Sequence, residues 1–437
     1  MSLKTRFATI KASRFSRQVA GMMAFTAMGQ AVYLLVGPVI GRLFTPEEIG
    51  LYGQLITIAV STSMMTNLCY EMAIPACRSE KEAISITVGA LLLALTISCG
   101  LGAAFSLLAV RGQFGLAQFP IWAGALLAAI LFSNSITQIA QNWQLRNQNA
   151  LIIGKAGITL NIVRGGSQIA FGLAWPVWAV LVLGEILGRI ANFAHVIEDR
   201  RSFLKSRHFL WSDVREALWR FREFPFVLTP ALVIDAIAIV IQISVLGMLF
   251  GAAAMGQYFL MRRTLDLPVA FAVKSLADIL YMRMAKDARE RPRQVRPFLV
   301  KSAVGLAAVG SIGFLPIVFF GPPLFKFVFG SNWEVAGTLA AVMVPAIILN
   351  LAVSPISRVF ALTSRPLLRF TFGIVLNIFS GAALWFSWQQ KFSLVETVAS
   401  VSAALTASYV AYFFAAVLAS GHIRDDHHVG EELTTNI

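Results

Sequence analysis

Charge is scarce in this sequence. Only 13% of its 437 residues are Asp, Glu, Lys or Arg, while 57% are hydrophobic. A soluble domain carries roughly 25% charged residues, so a water-soluble fold is excluded. The hydrophobic residues come in long blocks, many longer than the ~20 residues one helix needs to cross ~30 Å of hydrocarbon. Lipid offers the backbone no hydrogen-bond partner, so each block has to satisfy its own groups as a helix. Short alternating strands are absent, which removes a membrane barrel. Cysteine is limited to Cys69, Cys77 and Cys99. They lie in or beside apolar helices without a pairing pattern and read as reduced, structural thiols. A P-loop lysine motif, zinc-ligand spacing and a nucleophile elbow are also missing. ATP bound by this chain is therefore not the expected energy source, and no cofactor is expected.

Acidic residues are in short supply as well, 22 against 36 basic ones, for a net charge of +14. Such an excess is often a nucleic-acid signal, but here the basic residues are not gathered on one domain. They sit in short loops between apolar blocks, on alternate sides, which is the positive-inside pattern of a membrane protein. The blocks predict helices at about 18–40, 49–75, 83–110, 115–142, 150–171, 174–197, 225–250, 253–282, 298–320, 335–360, 367–388 and 393–420. The N-terminal segment and the even-numbered loops are basic, for example Arg78 and Lys81, Arg146, Arg200 to Arg222, Arg283 to Arg296, and Arg358 to Arg369. The odd-numbered loops hold little beyond Arg42, Arg111, Lys326 and Lys391. An inner-membrane protein with both termini in the cytoplasm is expected. The basic N-terminus before an apolar run superficially resembles a signal peptide. The run is too long for one and many more follow, so it is expected to stay as the first helix.

The expected domains are an N-terminal six-helix bundle at residues 1–197, a cytoplasmic linker at 198–224, a C-terminal six-helix bundle at 225–420 and a cytoplasmic tail at 421–437. In the linker, Trp211, Val214, Leu218 and Phe221 recur at helical spacing among Arg215, Arg220 and Arg222. They predict either a short amphipathic helix on the inner membrane surface or a solvated linker with a helical turn. Gly41, Leu43, Phe44, Gly50 and Tyr52 match Gly247, Leu249, Phe250, Gly256 and Tyr258 at one constant offset. The match points to a parallel repeat. The fold class is thus all-α membrane, about twelve transmembrane helices in two parallel-repeat six-helix bundles around a central cavity.

Ionisable residues inside apolar blocks cost a few kcal/mol each and have to face one another or a wet interior. Helix five carries Asn161, Arg164 and Gln168 on one face, and helix four carries Asn134, Gln138 and Gln141. Helix six has Glu185, Arg189 and Asn192; helix seven has Asp235 and Gln242. Helix eight has Arg262, Arg263, Asp266, Lys274 and Asp278 around Pro268, and helix two has Glu71 in its inner third. Glu185 with Arg189, Arg262 with Asp266, and Lys274 with Asp278 are i, i+4 pairs, which either neutralise each other as helix glue or line the cavity. Asp235, Arg164, Arg263 and Glu71 have no in-helix partner and favour the cavity. Such a cavity is polar (Asn134, Gln138, Asn161, Gln168) and partly cationic (Arg164, Arg262, Arg263, Lys274), which suits an anionic headgroup. The carboxylates Asp235, Glu71 and Glu185 are the candidates for proton or sodium coupling. His422, Asp425, Asp426, His427 and His428 have metal-ligand residue types, but their polar stretch reads as a solvated tail. Trp122, Trp175, Trp178, Trp333, Trp385 and Trp388 lie near predicted helix ends and read mostly as interfacial anchors.

Several segments resemble one known family. Leu43 to Gly53 (LFTPEEIGLYG) resembles the first outer turn of the Wzx-like polysaccharide flippases, a branch of the multidrug/oligosaccharidyl-lipid/polysaccharide exporter superfamily. Tyr70 to Pro75 followed by Ser79 to Ala83 resembles the end of that family's second helix and the loop after it. Phe224-Pro225 with Pro230 is similar to its entry to helix seven. Phe250-Gly251, Gly256 to Tyr258, Arg262-Arg263 and Leu267-Pro268 are similar to its helix eight, and Gly330 to Gly337 to its turn before helix ten. The motifs run in order from about residue 40 to 340. The resemblance implies flipping of an undecaprenyl-diphosphate-linked oligosaccharide from the cytoplasmic to the periplasmic leaflet by alternating access. It implies a diphosphate held by Arg164, Arg262, Arg263 or Lys274, and sugar against Asn134, Gln138 and Asn161. The lipid tail would stay in the bilayer. Implied partners are the lipid-linked oligosaccharide, membrane lipid, a polysaccharide polymerase and a chain-length regulator, and no nucleic acid. Two other classes remain open: a cation-coupled drug or metabolite antiporter of the same superfamily, and a membrane polysaccharide polymerase or ligase. Cations at least as numerous as embedded acids argue against the first. Short outer loops argue against an enzyme.

Overall fold

Helix starts in this chain are written in short polar signals. Thr45 accepts a hydrogen bond from the Glu48 amide at 3.4 Å, with Pro46 in the first turn and Glu47 and Glu48 at the positive end of the helix dipole. Ser79 accepts from the Glu82 amide at 3.1 Å, while the Glu82 carboxylate reaches back to the Arg78 amide at 2.8 Å. At the start of the last helix the exchange is between two residues: the Ser393 amide donates to the Glu396 carboxylate, and the Glu396 amide to the Ser393 hydroxyl oxygen.

The computed structural model describes residues 3–197, 211–362 and 367–435. The side chains of residues 1–20 and 422–437, and those of several positions between, including Asp235 and Lys274, lie outside the described set. The helices are α1 (Leu3–Leu43), α2 (Pro46–Thr66), α3 (Glu80–Val110), α4 (Ala123–Arg146), α5 (Ala150–Gly172), α6 (Trp178–Val196) and α7 (Trp211–Arg220). Thr229–Glu290 is a continuous helical run broken at Gly251, giving α8 at 229–250 and α9 at 252–290. Then come α10 (Val295–Phe329), α11 (Glu334–Val353), α12 (Leu367–Gln389) and α13 (Leu394–Thr435). Gly251 has φ +78° and ψ −179°, a region open to glycine alone. There is no strand among the described residues. Nine stretches among them are long and apolar enough to cross a membrane; one of these, Val240–Ala270, draws on both α8 and α9. The protein is an all-α, multi-pass membrane protein.

The chain forms two units, Met1–Met255 and Gly256–Ile437. In the first, α5 packs between α1 and α6, α3 packs on α4, and α4 on α6. In the second, α10 packs on α11, α11 on α13, and α12 on α13. Counted from α1 and from α8, the pairs third–fourth, fourth–sixth and fifth–sixth recur. The third–fourth contact is made the same way in both. A side chain on Gly102 or Gly124 would run into the facing glycine's carbonyl, and the same holds for Gly321 and Gly337. Small residues let helix backbones approach where lipid supplies no hydrophobic drive.

Several expectations are corrected. The second helix ends at Thr66, not near residue 75. Leu68 and Cys69 take left-handed backbone, and Tyr70–Ala76 continues as a 3-10 turn that carries Glu71. α13 continues to Thr435, so the stretch expected as a solvated tail is helical in its backbone. Trp178 and Trp333 are buried rather than interfacial. Trp178 stacks on Trp122 with ring centroids 5.2 Å apart. The linker helix exists as α7, but Val214 and Ala217 pack into the protein, with Leu218 and Phe221 against the same cluster. The cations expected at Arg200, Arg201, Lys205, Arg207 and Arg365 lie outside the described residues.

Candidate functional site

Two glycines on α6 open the way for the polar face of α5. Gly184 faces Gln168, and Gly188 would place a Cβ 2.8 Å from both the Arg164 Cβ and the Leu160 carbonyl oxygen. Between them sits Glu185, which is buried at 2% exposure. Helix approach at Gly184 and Gly188 brings the α5 cation onto this carboxylate.

Glu185 is surrounded by donors. The Tyr52 phenol from α2 donates to Oε1 at 2.7 Å. Arg164 Nη1 donates to Oε1 at 3.3 Å, and Arg189 Nη1 to Oε2 at 2.5 Å. Arg164 also donates to the Asn161 side-chain oxygen, and its guanidinium lies 3.7 Å from the centre of the Tyr33 ring on α1. Arg189 Nε reaches Asn134 Oδ1 on α4 at 3.4 Å. Five helices thus converge on one buried acid with two guanidiniums. With all three groups ionised, the cluster keeps one positive charge in excess among the described residues. The buried Arg164 Nε has no hydrogen-bond partner among the described residues.

The sequence-derived residues divide by place. Arg164, Asn161, Asn134 and Glu185 meet in this cluster. Gln168 instead donates to the Leu181 carbonyl at 2.8 Å, tying α5 to α6. Gln138 is half-buried on α4. Glu71 lies apart in the 3-10 turn, buried, with Oε2 lacking a hydrogen-bond partner among the described residues. Burial pushes its carboxyl above the ordinary glutamate value, partly offset by its own backbone amide and Asn67. In the second unit Arg262 pairs with Asp266 at 2.8 Å beside the Tyr258 and Tyr409 phenols, and Arg263 is half-buried next to it. Asp278 meets Arg358 at 2.5 Å, a partner that helical spacing did not supply. The Asp235 and Lys274 side chains lie outside the described set.

No protein-family model matches the sequence, and no curated protein matches it. Solved structures do. The chain is similar to the lipid II flippase MurJ in an inward closed conformation, at a TM-score of 0.68 and 13% identity, over 89% of this chain and 87% of that one. It is similar to an inward-facing multidrug resistance MATE-family transporter of the MOP superfamily, at a TM-score of 0.60 and 13% identity, over 92% and 96% of the two chains. The Vibrio cholerae MATE transporter VcmN, as a mutant, follows at 0.56 and 14%, over 94% and 97%. The chain has the fold of the MOP-superfamily transporters. Within that fold, sequence reasoning missed Tyr33 and Tyr52 as site residues. A tyrosine inside an apolar helix is a usable signal, because a buried phenol needs a hydrogen-bond partner.

Proposed function

We propose that this chain is an alternating-access transporter of the inner membrane that flips an undecaprenyl-diphosphate-linked oligosaccharide from the cytoplasmic to the periplasmic leaflet. The observation that carries this reading is the positive excess of the half-buried Arg164 and Arg189 on the buried Glu185, the one carboxylate they meet among the described residues. An uncompensated charge away from water is costly, and a diphosphate would supply the negative charge that offsets it. A guanidinium fork fits phosphate oxygens two at a time. Arg164 already has its plane set by Tyr33, so little ordering is needed on binding. Glu185 acts here as the resting counter-ion of the two arginines. Any proton or sodium coupling is assigned to Asp235 or Glu71. Arg262, Arg263 and Lys274 would offer the second unit's contacts, and Asn134 and Asn161 would meet sugar. The likeness to the lipid II flippase MurJ supports a lipid-linked cargo.

Both termini are assigned to the cytoplasm, with a polysaccharide polymerase and a chain-length regulator acting on the product. The test is the leaflet distribution of undecaprenyl-linked oligosaccharide in a deletion strain. Cytoplasmic-side accumulation with loss of polymer, reversed by the wild-type gene and not by a folded Arg164→Ala protein, supports the proposal. A normal pool and normal polymer would defeat it and turn attention to drug or cation efflux.

A further inference from the structure

α7 has three sides, and the packing uses two of them. One side is apolar: Val214 and Ala217 are buried, and Leu218 lies against Gly89 of α3. A second side is ionic. Asp213 meets Lys81 at 2.9 Å, Arg220 meets Glu82 at 2.7 Å, and Glu216 lines the same cleft at the start of α3. The Tyr70 phenol adds a bond to the Leu218 carbonyl at 3.0 Å.

The third side carries Trp211, Arg215 and Trp219. At about 100° per residue these fall within roughly 80° of one another. Arg222, in the turn that follows, has its guanidinium 4.7 Å from the Trp219 ring centre. Trp211 and Trp219 are 68% and 67% exposed, and Arg215 and Arg222 are exposed too. Both acids of the helix, Asp213 and Glu216, sit on the ionic side, so the outward stripe is aromatic and purely basic. This is not the face that helical spacing first singled out, because Val214, Leu218 and Phe221 are used for packing. The helix lies beside the opening turns of α3, whose apolar span begins at Glu80. Tryptophan favours the headgroup level of a bilayer, and arginine near it attracts anionic lipid.

We propose that Trp211, Arg215, Trp219 and Arg222 form a binding stripe for anionic phospholipid headgroups. The stripe holds α7 on the bilayer surface, and the two ion pairs to Lys81 and Glu82 transmit that anchorage to α3. The proposal stands independently of the cargo.

The test uses the full-length protein in nanodiscs of phosphatidylglycerol and phosphatidylcholine at equal mole fraction, with one or the other lipid brominated. Subtracting the emission of a Trp211→Phe/Trp219→Phe protein isolates these two tryptophans. Brominated phosphatidylglycerol should quench that difference about twofold more than brominated phosphatidylcholine. Arg215→Gln/Arg222→Gln should bring the two lipids to parity. Raising ionic strength on the wild-type protein should do the same without any substitution. Equal quenching by both lipids in the wild type would overturn the proposal, as would a preference that survives the arginine variant or salt. Absence of quenching by either lipid would also overturn it, leaving α7 as a surface for water or a protein partner.

Discussion

Glu185 gathers one tyrosine and two arginines from three helices of the first unit. Replacing it with alanine leaves the half-buried Arg164 and Arg189 without the carboxylate that they share. Breaking a buried ion pair from one side costs about 3–5 kcal/mol. Glu185→Ala should therefore lower the unfolding midpoint of the detergent-solubilised protein sharply, whereas Tyr52→Phe, which removes one bond to a charged group, should cost about 1.5–3 kcal/mol. Glu71 gives a pH test. Its carboxyl holds its proton more tightly when folded than when unfolded. Its contribution is therefore fully present below the ordinary glutamate value and is lost as pH rises toward the raised one. Thermal melts across that window should show this fall in the wild type, and Glu71→Gln should remove it. At this scale the sequence showed the ionisable residues but only half of their pairing. Helical spacing gives Arg189 to Glu185, because both lie on α6. It cannot give Arg164 to Glu185 or Arg358 to Asp278, because those meet across helices.

The elements were the most legible part. Apolar block length placed α3, α5, α6 and α12 closely, and the break between α8 and α9 was placed at the Phe250-Gly251 motif. Gly251→Ala forces a Cβ into a glycine-only backbone region, so it should cost about 1–3 kcal/mol. A drop in folded yield and in the melting midpoint checks this, and an unchanged midpoint would show that the break is free to relax. The misplaced ends have physical causes. α2 stops at a left-handed pair, Leu68 and Cys69, that contains neither glycine nor proline. α10 does lose helical geometry at Phe320, near the expected end, but it resumes through Pro322 and Pro323 to Phe329. The glycine contacts Gly102–Gly124 and Gly321–Gly337 were invisible in one dimension, because they join helices whose glycines have no fixed spacing along the chain.

For the whole molecule, charge asymmetry implies a topology that labelling can check. Gln113 and Arg293 are exposed, in segments assigned to opposite sides. A membrane-impermeant thiol reagent on intact cells should label Gln113→Cys and spare Arg293→Cys until the membrane is opened. Background from Cys77 should be low at neutral pH, because burial pushes its thiol up to about 11. The reverse pattern would invert the assignment of every loop. The class was readable from hydropathy. The meeting of side chains from five helices around Glu185 was not, because it joins residues far apart in the chain. The most direct test of that cluster's role is flipping by the purified protein in liposomes. A polyprenyl-diphosphate oligosaccharide with a fluorescent sugar is followed by loss of signal to an impermeant quencher. Wild-type protein should move the lipid across the bilayer, and folded Arg164→Ala should move it at least tenfold more slowly, in line with about 1.4 kcal/mol or more of lost binding. Equal rates for the two proteins would contradict that role.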